Sequence, residues 1–270
     1  MPCTTRTTVM DMTYIGIDLA ASEQRTGLAE LTEDAGSVVV RHVSVGATDL
    51  DLVRAIRTAQ RVGVDIPFGW PDAFVDVLTA HSRGTLVPPA DTGPSWRRTL
   101  AMRATDRWIQ ERTGLTPLSV STDRIAHPAL RWAGIEAELR ASGVPVPRDG
   151  SGVVCEVYPA AALKCWSLPH RGYKGKTNVA QRSRLMSELS DQAPWLDWGG
   201  FHDVCAADDN ALDAVLAALV AREVDLERCE PIPEELRSVS LREGWIRLPS
   251  GAPAPPRRTP ATLHRAPSAG

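Results

Sequence analysis

Two short runs each place an acid at the end of an apolar segment. YIGIDLA (residues 14–20) carries Asp18, and VGVDIPFGWP (residues 62–71) carries Asp65. The surrounding β-branched and aromatic residues are those of buried strands. A lone carboxylate there is costly to desolvate unless a cation or hydrogen-bond donors meet it. Two further core-like segments repeat the anomaly: VVCEVYPAAAL brings Glu156, and DDNALDAVLAALVA brings Asp208, Asp209 and Asp213 into an apolar helix. Four such elements are expected to converge on a divalent-metal site.

The order of elements constrains the fold. Strand signals at residues 25–31 and 37–45 flank a turn of Glu33, Asp34, Ala35 and Gly36, completing a three-strand meander. Residues 49–60 have helical spacing through Leu52, Val53 and Ile56, with Thr48 as a cap, and residues 62–66 return to strand. Three antiparallel strands, a helix and a further strand open an RNase H-like fold. Its right-handed crossover sets the ends of the first and fourth strands side by side.

After Pro67, Gly69 and Pro71, helical patterns at residues 72–81, 97–113 and 128–142 surround a long loop at 82–95. Residues 72–150 thus read as a mainly helical elaboration. A strand is expected at 153–157 and a helix at 159–166. The basic segment HRGYKGKTNVAQRSR and a helix over 182–189 follow. Residues 193–203 look irregular, 208–222 form the most regular helix, and EGWIRLP (243–249) reads as a closing strand. The expected fold class is therefore α/β, a mixed sheet of antiparallel then parallel strands flanked by helices. It forms one domain over 13–250, between a disordered extension (1–12) and a disordered tail (251–270) with five prolines and few large apolar groups.

Composition narrows the function classes. The chain is 43% apolar and 23% charged, as in globular proteins, and no run approaches the ~20 apolar residues of a membrane span. The first eleven residues lack an apolar secretory core. Five cysteines, odd in number and never in CxxC spacing, argue against a disulfide framework and a structural zinc site. Reduced thiols in a cytoplasmic protein are expected. The tail from Gly251 holds three arginines and no acid, so the net charge of −3 belongs to an acidic body. Such a body is no general nucleic-acid coat, yet it admits a nuclease whose acids are neutralised by cations.

Two carboxylates ~4 Å apart at an effective dielectric of ~20 repel by about 4 kcal/mol. A cluster of them calls for hard cations such as Mg2+ or Mn2+, which prefer oxygen ligands and can clamp the attacking and leaving oxygens of a phosphodiester. Asp209 and Asp213, four apart on a helix, share a face. Structural readings compete: Asp18 as a turn cap, Asp65 as a cap for the helix after Pro67, Glu156 as partner of a buried arginine, and Asp208 and Asp209 as helix-start acids. Asp213, a turn further in, fits that last reading least. Of 30 basic residues only three are lysines, and Lys174 and Lys176 fall together in YKGK. That loop suits a phosphate, or is simply a solvated charged loop. Arg103 and Asp106, three apart on a helix, read first as a structural pair, with phosphate contact by Arg103 as the alternative.

Taken in order, GIDLA, DIPFGWP, RATDRWI, EVYPAAAL, YKGK, DDNALDAVLAALVA and EGWIRLP resemble the proteins catalogued as domain of unknown function 429, over residues 14–249. The resemblance implies a nuclease of RNase H fold with an acidic site from Asp18, Asp65, Glu156, and Asp209 or Asp213. It assigns no role to the helical elaboration. The leading expectation is a metal-dependent nuclease acting on DNA or RNA. One alternative is a non-catalytic module that binds nucleic acid or protein, separable by divalent-ion binding at the acids. The other is an actin-like phosphotransferase using Ser22 and Thr26 in a phosphate loop, which requires two lobes and stabilisation by nucleotide.

Overall fold

The computed structural model describes residues 12–34 and 36–257. Its sheet has six strands in the order β5-β4-β1-β2-β3-β6. β1 (Met12–Asp18), β2 (Gly27–Glu33) and β3 (Val38–Val45) form the antiparallel meander. After α1 (Asp49–Thr58) the chain crosses over, so that β4 (Arg61–Asp65) runs parallel to β1 and β5 (Val154–Glu156) parallel to β4. This is the RNase H-like arrangement. β6 (Leu196–Asp197) adds a parallel edge beside β3, in a segment expected to be irregular.

The central strands are covered on both faces, which explains their near-continuous apolar runs. On one face Ile15, Ile17, Leu19, Val62 and Val64 meet Leu52, Val53 and Ile56 of α1. Trp132, Ile135 and Leu139 of α5 (Ala126–Ala141) complete that layer, with Phe68 stacked on Trp132 at 4.7 Å between ring centroids. On the other face lies α9 (Asp209–Asp225), in which every residue from 211 to 224 is buried.

The approach of α9 explains three glycines. An added methyl at Gly16, Gly27 or Gly63 would overlap the backbone oxygens of Ala214, Asn210 and Ala217 respectively. Gly16 and Gly63 are register partners on β1 and β4. Side chains alternate along a strand, so Asp18 and Asp65, two residues further on, point to the same face as these glycines. The element that needs the glycines therefore also overhangs the aspartates. We expect Gly63→Val to lower stability by about 3 kcal/mol, at the upper end of ordinary overpacking, because backbone rather than a movable side chain blocks the space. Chemical denaturation checks this; a loss below about 1 kcal/mol would contradict the packing.

The elaboration is helical: α2 (Asp72–Ser82), α3 (Pro94–Ala101), α4 (Ala104–Thr113) and α5. The expected single helix over 97–113 is two, because Asp106 accepts a hydrogen bond from the backbone N–H of Arg103 and starts a new helix there. EGWIRLP is not a closing strand but makes only isolated bridges, Glu156 to Ile246 and Cys229 to Pro249. It follows α10 (Arg237–Glu243) through Gly244, whose φ of +90° suits glycine. Trp245, Ile246 and Leu248 then pack with Trp108 and Ile109 of α4. α6 (Pro159–Cys165), α7 (Val179–Gln192) and α8 (His202–Ala207) complete the helices that flank the sheet.

The tail also differs from expectation over its first part. Ala254 is buried, and the fully buried Arg222 donates to the carbonyls of Ala254 and Pro255. The backbone N–H of Arg257 donates to Glu33 at 2.6 Å, and its guanidinium pairs with Asp225. Met12 opens β1, while the rest of the expected N-terminal extension (1–11) and of the tail (258–270) lies outside the described residues. Deleting residues 251–270 should strip two acceptors from a buried guanidinium, at about 2 kcal/mol or more. A fall of several degrees in melting temperature is expected; an unchanged one would mean the segment does not dock. No helix among the described residues is long and apolar enough to cross a membrane.

Candidate metal centre

Asp18 and Asp65 end adjacent parallel strands and are register partners. Crevices at the carboxyl ends of parallel strands are where open α/β sheets place ligands. Asp213 comes down from α9 beside Ala214, the residue that seats on Gly16. One carboxylate oxygen from each of Asp18, Asp65 and Asp213 lies within 4.8 Å of the others. Asp213 is almost fully buried, the other two half-buried.

Two partners hold Asp213. Tyr173 donates its hydroxyl to Oδ1 at 2.8 Å, and the Lys174 ammonium sits 2.7 Å from Oδ2. Both come from the YKGK loop, which Arg182 of α7 fastens by donating to the carbonyls of Tyr173 and Gly175. Sequence reasoning missed Tyr173. It was legible as the one large aromatic residue in an otherwise polar segment.

The electrostatics follow from three carboxylates facing one ammonium. Desolvation, then the charges of Asp213 and Asp65, push the Asp18 carboxyl well above the usual range. Desolvation raises Asp65 to about 7, against the pull of Lys174 and with the push of Asp213. Lys174 is held well above its ordinary value, chiefly by Asp213. The donors are all hard oxygens from three separate elements, and their negative charge exceeds what Lys174 supplies. Such a set fits a metal ion held by oxygen ligands.

The structure places the other expected site residues elsewhere. Asp209, half-buried in the first turn of α9, lies outside the group of three, though its charge also raises Asp18. Asp208 caps α9, accepting from the backbone N–H of Asn210. Glu156 is not in the group. Its carboxylate accepts from Arg103 at 2.6 and 2.9 Å and from the backbone N–H of Phe68 at 3.0 Å. The physical reason is that an acid with 1% exposure is held by the nearest buried cation. Arg103 is equally buried and divides its guanidinium among Asp106, Glu156 and the carbonyl of Glu243. It has no donor left for a phosphate. The two structural readings raised for Glu156 and for Arg103–Asp106 are thus one buried triad. Glu243, which the sequence did not single out, accepts from the backbone N–H groups of Asp72 and Ala104 at the starts of α2 and α4. Lys176 is exposed.

No curated protein and no solved structure matches the chain. A family model does match, over residues 16–237, a span that includes Asp18, Asp65, Lys174 and Asp213. The chain therefore belongs to the family described as protein of unknown function (DUF429).

Proposed function

We propose that this chain is a divalent-metal-dependent nuclease that hydrolyses phosphodiester bonds of nucleic acid in the cytoplasm. One observation carries the reading: three carboxylates from β1, β4 and α9 meet within 4.8 Å at the ends of parallel strands, under a lysine from a basic loop. Asp18, Asp65 and Asp213 would hold Mg2+ or Mn2+, and Asp209, one turn earlier on α9, adds charge that attracts cations. A bound cation of this kind supplies Lewis acidity at the phosphate and lowers the pKa of an attacking water. Tyr173 orients Asp213, Lys174 and Lys176 offer positive charge to the phosphate, and the Glu156–Arg103–Asp106 triad fixes β5 against α4. The actin-like alternative needs two lobes, and the described residues form one sheet.

The test is a cleavage screen with manganese-saturated protein on single strands, duplexes, branched DNA and hybrid duplexes. Turnover silenced by chelator is expected, and its absence across the screen would leave a binding module. The lysines refine the reading. Lys176→Ala should leave stability within about 0.5 kcal/mol and lower the slope of binding against salt by about one. Lys174→Ala should weaken binding too, but it should also destabilise the metal-free protein, because Asp213 loses its counter-charge. Equal salt slopes for all three proteins would remove the loop from phosphate binding.

A further inference from the structure

A cavity of about 410 Å3 opens directly beside the acids and shares Asp65 and Lys174 with them. Its remaining lining is largely apolar, including Pro67, Pro117, Leu118 and the ring of Tyr158, with Arg171, His170 and the Arg103-paired Glu156 as further polar members. Phosphodiester hydrolysis by itself requires no apolar chamber, and the large side chain of Leu118 is 59% exposed. The elaboration supplies two of these walls, since Pro117 and Leu118 lie between α4 and α5.

We infer that this cavity receives one unpaired nucleobase of the substrate, setting it in the apolar chamber while its phosphate lies at the acids and Lys174. The inference rests on the nuclease reading and names its substrate class: single-stranded or locally unpaired nucleic acid. Three observations support it. The volume is near the lower end of small-ligand sites, ~300–1,000 Å3, so it holds a nucleotide unit and not a length of duplex. An apolar wall contiguous with cationic side chains matches a ligand that is flat and apolar at one end and anionic at the other. The Arg103 guanidinium on the lining has its nitrogens committed to Asp106, Glu156 and a backbone carbonyl, so it offers no hydrogen-bond code for base identity. Stacking and exclusion of water favour a base of any kind, and His170, Arg171 and Tyr158 are the polar lining groups left to read its edge. A duplex must first release its base, which penalises paired substrate.

The experiment compares adenosine 5′-monophosphate with ribose 5-phosphate, titrated calorimetrically into the manganese-loaded full-length chain. Both carry the phosphate and sugar, and only one carries the base. At least tenfold tighter binding of adenosine 5′-monophosphate is expected. Leu118→Asp should shrink that ratio toward one, by placing a charge on the apolar wall from an exposed position. Melting of the same variant with and without manganese reports whether the acids remain assembled. Equal affinities for the two phosphates in the native chain would overturn the inference, as would a ratio that survives Leu118→Asp. Cleavage separates the two readings. A chain that prefers the base-bearing phosphate yet cleaves nothing would end the nuclease reading alone. A chain that cleaves duplex as fast as single strand, and binds both phosphates equally, would end the base chamber alone.

Discussion

Asp18→Asn should make the metal-free protein more stable at pH 8, while erasing the stabilisation that manganese gives the native chain. The substitution keeps shape and removes one charge from a group where three carboxylates face one lysine. Relief of like-charge repulsion there is worth on the order of 2 kcal/mol. Cleavage should fall by about a hundred- to a thousandfold, as when a group stabilising transition-state charge is removed. The pH dependence has a definite sign. Asp18 and Asp65 have folded-state values above their unfolded ones, so the folded state holds more protons and metal-free stability falls as pH rises. For Asp65 that window runs from about 4 to about 7. The native and Asp18→Asn proteins should therefore melt alike near pH 4, where both sites are neutral, and diverge with increasing pH. Manganese should abolish the divergence by stabilising only the native chain. Melting curves with chelator and with manganese, from pH 4 to 9, test this. A variant that melts lower than native at pH 8 without metal, and shifts as far with it, would sink the metal-site reading at Asp18.

Arg103→Met should cost about 3–5 kcal/mol, because it strands two buried acids at once. The guanidinium is charged despite burial. Desolvation works against it, but Asp106 and Glu156 outweigh that and hold its pKa above the ordinary arginine value. At roughly 2–4 °C per kcal/mol for a chain of about this size, the melting temperature should fall by about 10 °C. Neutralising the partners as well, with Arg103→Met, Asp106→Asn and Glu156→Gln together, should recover much of the loss, since the penalty lies in the stranded charges and not in the missing attraction. A phosphate-binding arginine would behave in the opposite way. Its loss would lower the salt slope of nucleic-acid binding and leave melting nearly unchanged, and that outcome would refute the triad.

Much of this organisation is legible in the chain alone. The meander, the crossover and the parallel fourth strand follow from apolar runs, turn residues and one capped amphipathic helix, all local signals. Asp18 and Asp65 are legible for the same reason: each is a costly carboxylate inside a strand pattern, and a right-handed crossover leaves only one arrangement of the two strand ends. Asp213 stands out because it interrupts an apolar helix a full turn beyond the stretch where acids are ordinary.

Local pattern did not decide how acids and cations pair. Glu156 interrupts an apolar strand just as Asp65 does, and nothing within either segment says that one meets two aspartates and the other an arginine 53 residues away. That choice depends on α4 starting anew at Arg103 and on Gly244 letting the chain pass close to the pair. The same holds for Lys174, whose role turns on Arg182 folding the loop back over Asp213. It holds again for the apolar chamber, whose walls come from segments far apart in sequence. The sequence by itself determined which elements form and which residues are too polar for their surroundings, because backbone preference and side-chain periodicity act over a few residues. The tertiary structure alone decided which buried charges neutralise one another, because that energy depends on separations of a few ångströms between distant segments.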